Sequence, residues 1–104
     1  MGYLVLINSR GLIQNYNIRI GKNNAGVNNI FLTIYTDVGV IRYRIWQDRR
    51  HPDLNLIYND LINGLNRAKN SAGIVFEISE DPERMYIFVT YPDGRTEQYS
   101  AVRI

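Results

Sequence analysis

The sequence predicts an α+β domain: an antiparallel β-sheet of about seven strands with one amphipathic helix packed on it. Two observations favour this class. Apolar residues recur with a period of two along most of the chain, whereas one stretch after Pro52 has helical spacing. The predicted element order is β-β-β-β-α-β-β-β, and 104 residues leave room for a single domain over residues 1–104.

The first two strands are expected to form a hairpin. Tyr3 to Ile7 is a short apolar run, Leu12 to Ile20 alternates, and the turn residues Asn8-Ser9-Arg10-Gly11 separate them. The alternation in strand 2 predicts an inner face of Leu12, Tyr16, Ile18 and Ile20, and an outer face of Ile13, Asn15, Asn17 and Arg19. The region 21–29 has no periodicity and is expected to be a loop.

Strands 3 and 4 are predicted over Ile30 to Thr36 and Val40 to Trp46. Pairing Ile34 with Tyr43 and Leu32 with Ile45 sorts apolar and charged side chains onto separate faces, so we expect that register. The other face then pairs Tyr35 with Arg42, Thr33 with Arg44 and Phe31 with Trp46.

The helix is predicted to follow Asp53, a favourable N-cap residue. Its apolar stripe consists of Leu54, Ile57, Tyr58, Leu61, Ile62, Leu65 and Ala68. Three more strands are expected over Ile74 to Ser79, Arg84 to Tyr91 and Thr96 to Ile104, separated by turns. These strands could continue the first sheet or form a second one.

The composition limits the classes of protein that fit. With no cysteine, disulfides and thiolate metal sites are excluded, and the absence fits a reducing, cytoplasmic location. Apolar runs are far shorter than the roughly 20 residues that span a bilayer, so no membrane partner is expected.

The charges are distributed unevenly along the chain. Residues 1–52 carry seven basic and two acidic groups, a net +5, whereas residues 53–104 carry five basic and eight acidic groups, a net −3. Ten of the twelve basic residues are arginine, which suits bidentate contacts with phosphate or carboxylate. The first half therefore favours an anionic partner.

These observations predict a small, non-enzymatic protein that binds single-stranded DNA or RNA. Rings supply stacking surfaces for bases, and arginine or lysine contacts the backbone. The candidate binding residues are Phe31, Thr33, Tyr35, Arg42, Arg44, Trp46, Arg49, Arg50 and Lys22. The element order alone resembles that of single-strand-binding folds of the Whirly kind, in which curved sheets present aromatic and basic groups; no residue motif accompanies it.

A protein-interaction module is the alternative. A small viral or mobile-element protein that binds or inhibits a host factor, or that assembles into a larger structure, would use the same face for protein contacts. We also expect a homodimer in which residues from Met85 to Ile104 contribute to the contact, because the last strands would otherwise leave an unpaired edge or an uncovered apolar surface.

No catalytic, metal or cofactor site is expected. Asp48, His51 and Asp53 lie close together, but they belong to one loop, and Asp53 is already explained as an N-cap. The segment Gly21 to Gly26 contains glycines and Lys22, yet it lacks the residue order of a phosphate-binding loop.

Overall fold

A computed structural model of the chain describes residues 4–8, 13–69 and 73–104, with side chains described for residues 13–69 and 73–104. The strands are β1 Leu4–Asn8, β2 Ile13–Lys22, β3 Asn28–Thr36, β4 Gly39–Trp46, β5 Glu77–Asp81, β6 Tyr86–Thr90 and β7 Thr96–Arg103. The helix α1 spans Leu54–Ala68, between β4 and β5 in the chain.

The strands form one continuous antiparallel sheet, which confirms the α+β class. The six strands with described side chains lie in the order β5-β6-β7-β4-β3-β2. The short β1, described by its main chain, adds to the sheet beside β5. Strands β5 to β7 therefore continue the first sheet, because β7 pairs directly with β4.

The first two strands do not form the expected hairpin, so that prediction is wrong. β1 pairs with β5, for example Val5 with Ser79, whereas β2 pairs with β3 at the opposite end of the sheet. β2 and β3 are long strands whose apolar residues match over nearly their whole length, as in the pairs Tyr16 with Ile34 and Ile18 with Leu32. The turn residues 9–12 lie outside the described residues.

The register of β3 and β4 differs by two residues from the predicted one. A two-residue turn at Asp37-Val38 pairs Thr36 with Gly39, and consequently Ile34 with Ile41 and Leu32 with Tyr43. The Thr36 hydroxyl stabilises the turn by accepting from the Val38 amide and donating to the Gly39 carbonyl. Because side chains alternate with a period of two, this shift leaves the composition of both faces unchanged.

Ile13 is the one predicted outer residue of β2 that the structure buries. Its side chain has 0% exposure, because the β2–β3 register shifts between Ile13 and Asn15. Such an irregularity turns the residues before it to the other face. Tyr16 and Ile18 pack against the core as predicted, whereas Ile20 is 36% exposed.

The helix covers one face of the sheet, here called the inner face. Asp53 caps it by accepting a hydrogen bond from the Asn55 amide at 3.0 Å. Its buried stripe consists of Leu54, Ile57, Leu61, Gly64, Leu65 and Ala68. These residues share the core with Ile30, Leu32, Ile34, Tyr43, Ile45, Ile78, Ile87, Val89, Tyr99 and Ala101 of the sheet. In the described part of the chain, no helix is long and apolar enough to cross a bilayer.

The C-terminal strand β7 does not form the free edge that was predicted. β7 lies inside the sheet and pairs with β6 on one side and β4 on the other. On β6, Ile87 and Val89 are buried in the core, while Tyr86 and Phe88 alternate to the other face. The homodimer itself stays a prediction.

Gly64→Ala is expected to destabilise the protein even though alanine favours a helix by about 1 kcal/mol over glycine. A Cβ at Gly64 would lie 2.7 Å from Phe76 Cε1 and 3.0 Å from Tyr91 Cδ1, two rings that are themselves buried. Overpacking of this kind costs about 1–3 kcal/mol. Urea unfolding measures the change, with Asn59→Ala on the exposed helix surface as a control that should stabilise slightly. An increase in stability for Gly64→Ala would contradict the packing described here.

Candidate nucleic-acid interface

The sheet face opposite the helix carries six of the residues that the sequence singled out. Because Ile30, Leu32 and Ile34 are buried under the helix, the alternating residues of β3 lie on the other side. The same alternation applies to β4. We call this side the outer face; on β3 and β4 it carries Phe31, Thr33, Tyr35, Arg42, Arg44 and Trp46, together with Asn29 and Val40.

The observed register changes the neighbours on this face. Thr33 lies opposite Arg42 and Phe31 lies opposite Arg44, rather than opposite Arg44 and Trp46 as predicted. Tyr35 is paired with Val40 and is 39% exposed. The predicted members of the face are thus assembled, but each ring has a different cross-strand partner.

The outer face extends onto strands that sequence reasoning left out. Trp46 pairs with Ser100 of β7, and Ser100 pairs with Tyr86 of β6, so Tyr86 and its alternate neighbour Phe88 share the face with Trp46. On the other side, Arg19 of β2 pairs with Phe31. The outward parity of Arg19 was visible in the sequence, whereas the position of Tyr86 depends on the strand order.

Three arginines lie over three rings of the outer face. The guanidinium carbon of Arg19 is 4.5 Å from the Phe31 ring centroid, that of Arg44 is 5.0 Å from Trp46, and that of Arg50 is 5.4 Å from Tyr86. These distances are within the range of cation–π attraction. The pairs follow one another across the sheet from β2 to β6, so charge and ring alternate across the strands.

Asn29 holds the central arginine in place. It is 1% exposed, and its Oδ1 accepts from Arg44 Nη1 at 3.1 Å and from Asn23 Nδ2 at 3.1 Å. Asn23 in turn accepts at Oδ1 from the amides of Ala25 and Val27, which orders the β2–β3 loop. Arg44 is therefore positioned by a neutral amide, and its positive charge is not neutralised by this contact.

Asp48 shapes the loop that carries Arg49 and Arg50. Its carboxylate accepts from Ser100 Oγ at 2.5 Å and from the amides of Arg50 and His51 at 2.8 and 3.0 Å. Partial burial acts to raise the pKa of Asp48, but these hydrogen bonds outweigh it and hold the pKa below its usual value. The ordered loop places Arg50 over Tyr86, while Arg49 is exposed.

Asp48, His51 and Asp53 do not converge on a common point. His51 Nε2 lies 3.3 Å from Glu97 Oε1, and its ring packs 4.7 Å from Tyr99. Asp48 binds Ser100 and Asp53 caps the helix, so the three side chains have separate structural roles. Within residues 13–69 and 73–104, no group of three or more histidine or acidic side chains is arranged to hold a metal ion.

Ion pairing divides the arginines into two groups. Arg84 and Arg95 in the C-terminal turns and Arg103 in β7 each contact a carboxylate, Arg95 being within 3.2 Å of Asp60 and 2.9 Å of Glu97. No described carboxylate forms an ion pair with any of the cations on β2, β4 and the following loop, namely Arg19, Lys22, Arg42, Arg44, Arg49 and Arg50. The outer face at β2 to β4 therefore keeps its positive charge.

The opposite end of the outer face is acidic. Glu77 and Asp81 of β5 pair with Thr90 and Tyr86 of β6, which puts them on the outer face at the far side of the sheet. Asp81 contacts Arg84 at 3.4 Å. An anionic ligand is consequently favoured over β2 to β4, with Arg50 extending the positive surface as far as Tyr86.

No family model matches this chain, and searches of curated proteins and of solved structures found no match either.

The pKa of Asp48 gives the loop a pH dependence. Because this pKa is lower in the folded chain than in the unfolded one, the carboxylate contributes stability above the ordinary aspartate pKa of about 3.9, and the contribution is lost as the pH falls through the lower, folded value. Asp48→Asn should therefore be less stable than wild type at neutral pH, and the difference should shrink below pH of about 4. Urea unfolding at several pH values measures it, and Asp37→Asn at an exposed position of the β3–β4 turn is the control. A difference that stays constant down to pH of about 2 would contradict this role of the carboxylate.

Proposed function

We propose that the protein binds single-stranded nucleic acid on the outer face, between β2 and β6, without catalysing a reaction. The observation that carries the proposal is the set of unpaired cations next to rings: six positive side chains on β2, β4 and the loop have no ion pair with a described carboxylate, and three of them lie over Phe31, Trp46 and Tyr86. In single-strand binding, cations contact the phosphates and aromatic rings stack with the bases.

A comparison of cation–π and base-stacking energies supports the idea that a base can take the place of an arginine over a ring. A cation over an exposed ring is worth about 0.5–1 kcal/mol, whereas a base stacked on an aromatic side chain is worth about 1–3 kcal/mol. A base can therefore replace a guanidinium over Trp46 or Tyr86, and the released arginine can bind the neighbouring phosphate. In the free protein, the arginines shield the rings from water, which fits the partial burial of Phe31 and Trp46.

The open sheet gives no means of reading a duplex groove. A duplex is read by a helix or a narrow β-ribbon inserted into a groove, whereas unstacked bases can lie flat on a broad sheet. Residues 13–69 and 73–104 place no helix over the outer face, because α1 packs on the inner face. The shape thus favours single strands as the ligand.

A protein partner is the second candidate function, and one observation favours it. Tyr35, Val38 and Val40 are 39%, 87% and 45% exposed around the β3–β4 turn, so an apolar patch adjoins the outer face. Exposed apolar patches often mark protein contacts. The two candidates differ in salt dependence, because phosphate binding weakens steeply with salt and apolar contacts do not.

Arg42→Ala and Arg44→Ala should each weaken the binding of labelled oligo(dT) or oligo(U) and should each lower the salt slope by about one. The reason is that each removes one cation that would otherwise displace a counterion from a phosphate. Arg67→Ala is the matched control, since Arg67 is an exposed arginine on the helix, on the other side of the sheet. Fluorescence anisotropy at several salt concentrations measures both quantities. No detectable binding by the wild type at low salt would refute the proposed function.

Trp46→Ala should weaken oligonucleotide binding by about 1–3 kcal/mol through the loss of one stacking surface. Trp46 is the single tryptophan of the chain, so its fluorescence should be quenched when a strand binds to the wild type. Circular dichroism of the variant separates a loss of binding from a loss of folding. Strong binding without a change in tryptophan fluorescence would place the ligand elsewhere on the protein.

A further inference from the structure

An open pocket of about 500 Å³ lies at the β2 side of the outer face. Its walls are Arg19, Lys22 and Arg44, the Phe31 ring, the loop residues Asn23 to Ala25, and Ile104, which follows β7. No carboxylate side chain lines this pocket, and none of its three cations has an ion pair with a described carboxylate. Three like charges at one pocket repel one another, so an anion bound there would relieve that repulsion.

The pocket is built on residues that are held in place. Arg44 is bound to the buried Asn29 at 3.1 Å, and Asn29 is bound to Asn23, whose side chain also accepts from the loop amides of Ala25 and Val27. Gly26 completes this loop with φ of 78°, a conformation that favours glycine. The central cation and the loop wall thus form one hydrogen-bonded unit, in which the charge is positioned before any ligand arrives.

The size and the chemistry of the pocket suit one nucleotide. Pockets for small molecules commonly have volumes of about 300–1,000 Å³, and the volume of this pocket falls within that range. It is much larger than the volume that a single phosphate group needs. Arg19 and Arg44 provide planar guanidinium groups that match phosphate oxygens, and Phe31 provides a ring beside them. We propose that this pocket is the anchoring subsite for the strand, with one phosphate bound by Arg19, Lys22 and Arg44 and its base against Phe31.

This inference rests on the proposed function for the identity of the ligand, but it makes a separate claim: the pocket binds a single phosphorylated nucleotide by itself. Titrations of the protein with inorganic phosphate, thymidine 5′-monophosphate and thymidine, followed by NMR, test it. Phosphate and the monophosphate should shift the amides of Asn24 and Ala25 and the side-chain signals of Arg44. Thymidine, which lacks the phosphate, should leave these signals almost unchanged.

Two variants connect these shifts to the pocket. Lys22→Gln should lower the affinity for thymidine 5′-monophosphate about tenfold, through the loss of one charge-assisted contact. Asn29→Asp should abolish the shifts, because it would place a buried carboxylate against Arg44 and neutralise one of the three cations of the pocket. Asn59→Asp adds the same charge on the exposed helix surface and should have little effect. Lys22 is exposed, so its variant tests the proposal even if Asn29→Asp fails to fold.

The outcomes separate the two proposals. Binding of oligonucleotides without any shift of the pocket signals by thymidine 5′-monophosphate would overturn the anchoring subsite and leave the proposed function intact. Binding of the monophosphate with no binding of oligonucleotides would refute the proposed function and support a site for free nucleotides. Equal shifts with thymidine and its monophosphate would overturn the role of the cations.

Discussion

One constraint determines the character of this protein: the helix α1 covers the inner face of the sheet, and the described residues place no helix over the outer face. The helix α1 has 15 residues, a length of about 22 Å, and one buried stripe. The core consequently forms on the inner face, where Ile30, Leu32 and Ile45 are fully or almost fully buried. The composition of the outer face is then free of the demands of the core and is available for a ligand.

An open sheet with exposed rings would be a liability without some protection. Here arginine side chains lie over Phe31, Trp46 and Tyr86 and reduce the exposed apolar area. The long apolar stem of arginine can pack on a surface while its charged end stays in water. The same contact stabilises the free protein and supplies the positive charge that the proposed ligand requires, so protection and binding involve the same residues.

These cations are positioned without an ion pair to a described carboxylate. Asn29 binds Arg44 through its amide oxygen. The Asp48 carboxylate accepts hydrogen bonds from Ser100 and from the loop amides of Arg50 and His51. By contrast, Arg95 is surrounded by Asp60, Asp93 and Glu97, and Arg103 contacts Glu80. Arg84, Arg95 and Arg103 therefore have a structural role in the C-terminal part of the chain, whereas Arg44 and Arg50 are held next to Asn29 and Tyr86 without an ion pair to a described carboxylate.

The local features of the fold follow from residues that are close together in the chain. The alternation of apolar and polar residues predicts that Phe31, Arg44 and Trp46 lie on one face. The predicted β3–β4 register differs from the observed one by two residues, and an even shift keeps every side chain on the same face. The helix and its Asp53 cap are also predicted correctly, because helical spacing and capping depend on residues that are near in the chain.

The remaining features depend on contacts between segments that are distant in the chain. These contacts pair β1 with β5 instead of β2, bury Ile13 through an irregularity in the β2–β3 register, and place β7 between β4 and β6. That insertion brings Tyr86 to the outer face, and the β2–β3 loop brings Asn23 to Asn29 and thereby forms the pocket around Arg44. Periodicity indicates which way a side chain points from its own strand, but the identity of the neighbouring strand is set by the packing of the whole sheet.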